Sequence, residues 1–260
     1  MLFFFYRYNF VVHGCIDGYS RLISFSKVST DNLARTALNY FFEGVKEYGV
    51  LSRVRSDGGS EFVHVDTFMN MINGEDRGSL MRGPSVHNQR IERLWRDVYV
   101  KVLDKYYKLF NHMEENGILN PSHQIDLYCL HHTYAMRIDG DLEKWKNAHN
   151  NHSVSTEHFK TPNQLWISGN LQNQDSDNVA MNNIFRRDFV NIESKMQLFL
   201  DENLIGPNDI SVFLPRPEPP LTNFKLNELK LSINVMRDSV SHGIDIYGEV
   251  KKFVYGCIRT

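Results

Sequence analysis

Long hydrophobic runs are missing from this 260-residue sequence. The nearest approach is Met1 to Val12, an aromatic-rich stretch that Arg7 and Asn9 interrupt and that no small-residue cleavage site follows. That pattern fits neither a signal peptide nor a membrane span, and it predicts a buried strand. Cysteine is scarce. Cys15, Cys129 and Cys257 are far apart and odd in number, and they form no Cys-x-x-Cys pair. This argues against a zinc site and against a disulfide framework, and it fits a reducing, intracellular compartment. Net charge is nearly absent too: 29 Lys and Arg stand against 31 Asp and Glu, a formal charge of -2. No global field therefore draws the chain toward a polyanion, and any such binding has to come from a local patch. What is there, 42% hydrophobic and 23% charged residues, is the mixture of a globular protein long enough to bury a substantial core.

Local patterns give an element order. Phe3 to Lys27 is dense in Phe, Tyr, Val and Ile around the break Asp17-Gly18-Tyr19-Ser20, which predicts two strands joined by a turn. Thr30-Asp31 offers an N-cap, and Leu33, Ala37, Leu38, Phe41, Phe42 and Val45 recur at helical spacing up to Gly49. Ser52 to Ser56 is β-prone and stops at Asp57-Gly58-Gly59, and a shorter helix is expected over about Val63 to Ile72. After a short strand, Ile91, Leu94, Trp95, Val98, Val102 and Tyr106 mark a long amphipathic helix starting near His87. Strands alternating with helices predict an α/β fold with at least one parallel crossover. Asn170 to Asn183 is polar and aperiodic, so a domain over residues 1–170, a linker over 171–183 and a C-terminal extension over 184–260 are expected. A further helix near Phe185 to Glu202 and a mixed segment holding Tyr247 to Val254 fall in that extension, which shows no recognisable chemistry.

Two carboxylates stand out by position. Asp57 follows a predicted strand and precedes two glycines that permit a tight turn and close approach of a ligand. Glu92 lies in the first turns of the long helix, 34 residues further along. A strand's carboxyl edge and a helix N-terminus packed beside it can converge, and two converging carboxylates suit hard divalent cations such as Mg2+. Two such ions about 4 Å apart can activate a nucleophile and stabilise the leaving oxygen of a phosphodiester. The same residues also read as a turn former and as half of an ordinary helix-surface pair, Glu92 with Arg96.

The segments Arg55-Ser56-Asp57-Gly58-Gly59-Ser60-Glu61-Phe62 and His87-Asn88-Gln89-Arg90-Ile91-Glu92-Arg93-Leu94-Trp95-Arg96-Asp97 resemble the second and third acidic motifs of the integrase core family. Ile16-Asp17-Gly18-Tyr19-Ser20-Arg21 resembles that family's second strand, and Thr161-Pro162-Asn163-Gln164-Leu165-Trp166 resembles the end of its core. The likeness spans roughly residues 5 to 170 and is closest to eukaryotic integrase-core proteins derived from mobile elements. It implies a ribonuclease H-like mixed sheet flanked by helices, and a polynucleotidyl transferase that joins or cuts DNA with two Mg2+ or Mn2+ ions. Asp57 and Glu92 would be the second and third metal ligands. Asn88 would orient substrate or carboxylate, or cap the helix. In the family the first acidic ligand ends the strand before the Asp-Gly-Tyr-Ser-Arg hairpin, roughly 15 to 18 residues ahead of Asp17. That falls at or before Met1, so an incomplete active site is expected, with Asp17 a turn residue or a substitute ligand.

Around the long helix, the cations Arg82, Arg90, Arg93, Arg96, Lys101, Lys105 and Lys108 outnumber Glu92, Asp97 and Asp104, giving a local charge of +4. Such a stripe could hold DNA phosphates, or it could be a solvated face with pairs such as Asp97 to Lys101 and Asp104 to Lys108. His131 and His132 have no second ligand pair at finger spacing and read as core or surface residues, and Trp95, Trp145 and Trp166 read as packing residues. The expected partner is DNA, in an intracellular and possible nuclear setting, with no membrane and with self-association left open. Three functions compete: an integrase or transposase, a simple metal-dependent nuclease, and a domesticated module that binds nucleic acid or protein without catalysis.

Overall fold

The aromatic N-terminal stretch folds as two strands rather than one. The structure, a computed structural model, describes residues 2–56, 59–74, 77–83, 89–175, 181, 189–202 and 220–258. Strand β1 (Leu2–Phe5) ends in a 3-10 turn at Tyr6–Tyr8, where Asn9 takes a left-handed conformation (φ 52°) that its short polar side chain tolerates. The chain then returns as β2 (Phe10–Ile16), so the interruption at Arg7 and Asn9 is the turn itself. Strand β3 (Ile23–Ser29) follows the Asp17 turn. The three strands form an antiparallel ladder in the order β1-β2-β3, with Phe5 opposite Phe10 and Val12 opposite Val28. A bulge lies between Cys15 and Ile16, where β2 approaches the turn.

Helix α1 (Ala34–Tyr48) starts behind Asp31, whose Oδ1 accepts from Thr36 Oγ1 at 2.6 Å, and stops at Gly49 (φ 85°). Strand β4 (Val54–Ser56), helix α2 (Val63–Asn73) and strand β5 (Leu80–Arg82) make the expected crossover, because β4 and β5 pair in parallel. Among the described residues this ladder is separate from the antiparallel one.

The long helix runs as α3 (Gln89–Val98), a π turn (Tyr99–Leu103) and α4 (Asp104–Glu115). The sequence explains the interruption. Leu94, Val98, Val102, Tyr106 and Phe110 are spaced four apart and all are buried. In a regular helix each such step drifts about 40° around the axis, so five residues could not share one face. The wider π turn takes up that drift and keeps the stripe on the core.

Helix α5 (Gln124–Asn151) seals the free edge of β3. Asn150 accepts from Ile23 N–H and donates to Ile23 C=O, both at 2.9 Å, and Asp139 accepts from Val28 N–H at 2.7 Å. An edge strand satisfied in this way offers no template for pairing with another chain. Helix α6 (Pro162–Gln172) begins with a capping box in which Thr161 and Gln164 satisfy each other's backbone, with Pro162 at the first helical position.

Side chains from the later segments join both sides of the core. Ile192, Met196 and Phe199 of α7 (Phe189–Glu202) are buried with α1 and α2. Leu229 of α8 (Asn223–Ser232) and Ile246, Tyr247, Val250 and Val254 of α9 (Ile244–Ile258) are buried with α4 and α5. No described helix is long and apolar enough to cross a membrane.

Candidate functional site

The turn between β2 and β3 is built around one carboxylate. Asp17 Oδ2 accepts from the backbone N–H groups of Tyr19 (3.1 Å) and Ser20 (2.6 Å) and from Ser20 Oγ (2.7 Å). Arg21, at φ 65°, sends its guanidinium to Glu157 Oε1 (2.7 Å) and Thr156 Oγ1 (3.2 Å), which ties the hairpin to the segment just before α6. The Asp-Gly-Tyr-Ser-Arg motif is therefore explained by turn formation and docking. Its acidic residue spends an oxygen on the turn, which weakens it as a substitute ligand.

Beside this turn a cavity of about 600 Å3 opens between the ends of β2 and β4 and the start of α3. Cys15, Asp17, Arg53, Ser56, Arg90 and Trp166 are among its lining residues. Burial pushes the Cys15 thiol up, so at neutral pH it is a neutral wall rather than a nucleophile. Trp166, expected as packing, is only half-buried; it meets Tyr48 edge-on at 5.7 Å and forms part of the cavity wall. Trp95 keeps its packing role. A Cβ on Gly14 would come within 2.8 Å of its ring, so this glycine lets α3 lie close against β2. Asp57 and Asn88 lie outside the described residues, although β4 ends at the buried Ser56 immediately before Asp57. Glu92 is exposed in the first turn of α3, and the cavity wall includes Gln89, Arg90 and Ile91 but not Glu92.

The basic stripe divides into two parts. Lys108 pairs with Asp104 at 2.6 Å, and Lys105 reaches Asp141 at 2.5 Å. Arg90, Arg93, Arg96 and Lys101 are exposed, and none forms an ion pair with a described residue; the Asp97 to Lys101 pair does not form. The histidines behave as packing groups. His131 Nε2 lies 2.8 Å from Tyr8 O, with its ring edge-on to Phe10, and burial lowers the pKa of His132.

Comparison with protein families matches the Integrase core domain over residues 3–180. The chain belongs to the integrase core domain family. No curated protein and no solved structure matches. Membership implies the ribonuclease H-like fold, in agreement with the mixed α/β architecture and its helices on both faces of the β2 strand. It also implies a role in DNA integration and a family habit of using divalent metals. The described residues of this integrase core do not by themselves fit a metal cluster. No group of three His, Cys, Asp or Glu side chains stands at ligand spacing among them, and the one carboxylate among the described wall residues, Asp17, is held by its turn.

Proposed function

We propose that this integrase core grips duplex DNA through the exposed basic residues of α3 and the π turn, at the mouth of the cavity where β4 ends. Asp57 and Glu92 are the acidic residues assigned to cutting and joining strands, as an integrase or transposase does. The observation that carries this reading is the split of the basic stripe. Arg90, Arg93, Arg96 and Lys101 stay exposed and free of described ion pairs, whereas Lys105 and Lys108 are neutralised. A stripe that served only solubility would be expected to pair along its length. Four guanidinium and ammonium groups on one helix can neutralise phosphates, and they carry no base-specific information.

A second reading, DNA binding without strand transfer, is favoured by the turn-bound state of Asp17. Both readings predict weak, sequence-independent binding that falls steeply with salt. Replacing Arg93, Arg96 and Lys101 together by Ala should abolish it, or leave a log affinity against log salt slope shallower by about three. Unchanged affinity and slope would refute the DNA reading. Mg2+- or Mn2+-dependent joining of DNA ends, lost in Asp57→Ala and in Glu92→Ala, separates the transferase from the binder.

A further inference from the structure

Two of the four segments that resemble the family contain no assigned acidic ligand, and the structure brings them together. Tyr19 of the β2–β3 turn lies against the backbone of Gly169 on α6, where a Cβ would come within 2.8 Å of the tyrosine ring. A side chain at this position would push the ring aside, and 59% of the tyrosine stays open to solvent. A pocket of about 220 Å3 lies here, and its lining comprises Asp17 and Tyr19 of the turn and Trp166, Gly169, Asn170, Gln172 and Asn173 of α6 and its C-terminal end. Asp17 and Trp166 line the larger cavity as well, so the two spaces adjoin.

The chemistry of this wall is selective. It has two aromatic rings and three side-chain amides, and its described lining contains no Lys or Arg but includes the acidic residue Asp17. Such a wall repels a phosphate, which the α3 residues are better placed to hold. It suits a flat, uncharged, hydrogen-bonding ring. The volume is below that of pockets enclosing drug-sized ligands, so it takes one ring rather than a whole nucleotide. One amide is already committed, since Asn173 Nδ2 donates to Gly169 O at 2.7 Å. Asn170 Nδ2 is not: it is buried with no hydrogen-bond partner among the described residues, a donor whose desolvation none of them offsets.

We infer that this pocket receives the base of an unpaired DNA nucleotide, stacked on Tyr19 and held at its edge by the Asn170 and Gln172 amides. The base has to be unpaired because a base inside the duplex has its faces covered by its neighbours. Stacking on an aromatic side chain is tolerant of sequence, and amides both donate and accept, so the pocket reads the presence of a free base rather than its identity. Its place beside the cavity sets a single-stranded end, rather than duplex interior, next to the strand end that leads into Asp57.

This inference rests on the DNA reading above, and one experiment separates their failures. The full chain is titrated at fixed low salt with a short blunt duplex and with the same duplex carrying a single-stranded overhang that contains 2-aminopurine. The overhang should raise affinity about fivefold, the lower end of what one stacked base contributes. Its fluorescence should be quenched on binding. Tyr19→Ala, Asn170→Ala and Gly169→Val should each remove the preference and leave blunt-duplex affinity unchanged, whereas Tyr19→Phe should keep it. Circular dichroism identifies any variant that has lost its fold. Equal affinity for the two duplexes, or a preference that survives both Tyr19→Ala and Asn170→Ala, would overturn the pocket and leave the DNA reading standing. If neither duplex binds, the DNA reading fails and the single-stranded 2-aminopurine oligonucleotide decides alone. Quenching that Tyr19→Ala abolishes would keep the pocket, and no quenching would remove it.

Discussion

The two faces of β2 are made of different materials. On one, Phe10 and Val12 join Phe5, Tyr8, Phe110 and Tyr134 in an aromatic core covered by α4, α5 and α9. Phe110 is fully buried and meets Tyr134 at 4.9 Å, Tyr8 at 5.1 Å and Phe10 at 6.0 Å. On the other face stand His13 and Cys15, under α1. His13 is 2% exposed, its Nδ1 has no partner, and its Nε2 lies 3.5 Å from Asp31 O. Toward the cavity the strand loses its regular pairing at the bulge. One strand thus supports the scaffold with its apolar face and leads, through its polar face and irregular end, to the site. The consequence is that stability and site chemistry should respond to different residues of neighbouring elements.

The sharpest test of that separation is Phe110→Ala. It removes a ring with aromatic neighbours on several sides and should cost about 3–5 kcal/mol in urea unfolding. The Arg93, Arg96 and Lys101 triple variant, on the same continuous helix, should leave the unfolding midpoint nearly unchanged. A similar loss of stability from both would break the comparison.

Next in size is the polar face. Burial pushes the His13 pKa down to about 4 from its ordinary 6.5. The unfolded chain therefore binds more protons than the folded one between those values, and stability rises with pH across that window. As pH falls from 6.5 through 4, the protein should lose about 3 kcal/mol on this account. His13→Gln should flatten the profile by that amount relative to the parent. Parallel profiles would mean that His13 is not held neutral by burial.

Asn150→Ala probes the sealed edge of β3. It strips the partners from Ile23 N–H and C=O in a buried setting and should cost about 2 kcal/mol. Hydrogen exchange at Ile23 should quicken. No comparable effect is expected from Gln172→Ala, whose side chain stands on the exposed part of α6.

Much of the fold was legible because periodicity and turn chemistry agreed. Gly49 ended α1, and the Asp17 turn joined two strands, as the sequence implied. The division of Met1 to Val12 into two strands was not, because it depends on a left-handed Asn9 that no hydrophobic pattern announces. Nor was the π turn, whose only trace is a four-residue spacing easily taken for a helical one. For the site, Glu92, Arg90, Arg93 and Arg96 lie on the helix that the sequence predicts, whereas Arg82, counted in the same stripe, ends β5. The Asp104 to Lys108 pair could be read from its i,i+4 spacing, whereas the neutralisation of Lys105 could not, since it finds its carboxylate 36 positions away on α5. Tyr19 and Trp166 sat in the motifs that resemble the family, yet Tyr19 approaches α6 at Gly169, a residue with no signal of its own.

The smallest expected effect separates burial from bonding at that same edge. Burial raises the pKa of Asp139 above its usual 3.8, although its bond from Val28 N–H and the nearby Lys27 pull the other way. A carboxyl group raised in the folded state holds its proton longer than the unfolded chain does. Stability on its account therefore falls as pH rises from about 3.8 through the folded value, and the loss is complete above it. Asp139→Asn keeps an oxygen to accept from Val28 N–H and removes the charge. It should be slightly more stable than the parent at pH 7 and equal to it well below 3.8, an effect smaller than that of Asn150→Ala because no hydrogen bond is lost. The measurement is the difference in unfolding free energy between variant and parent across that pH range. A variant less stable than the parent at pH 7 would show that the charged bond to β3, rather than desolvation, governs this residue, and that the edge is held electrostatically rather than by neutral hydrogen bonds.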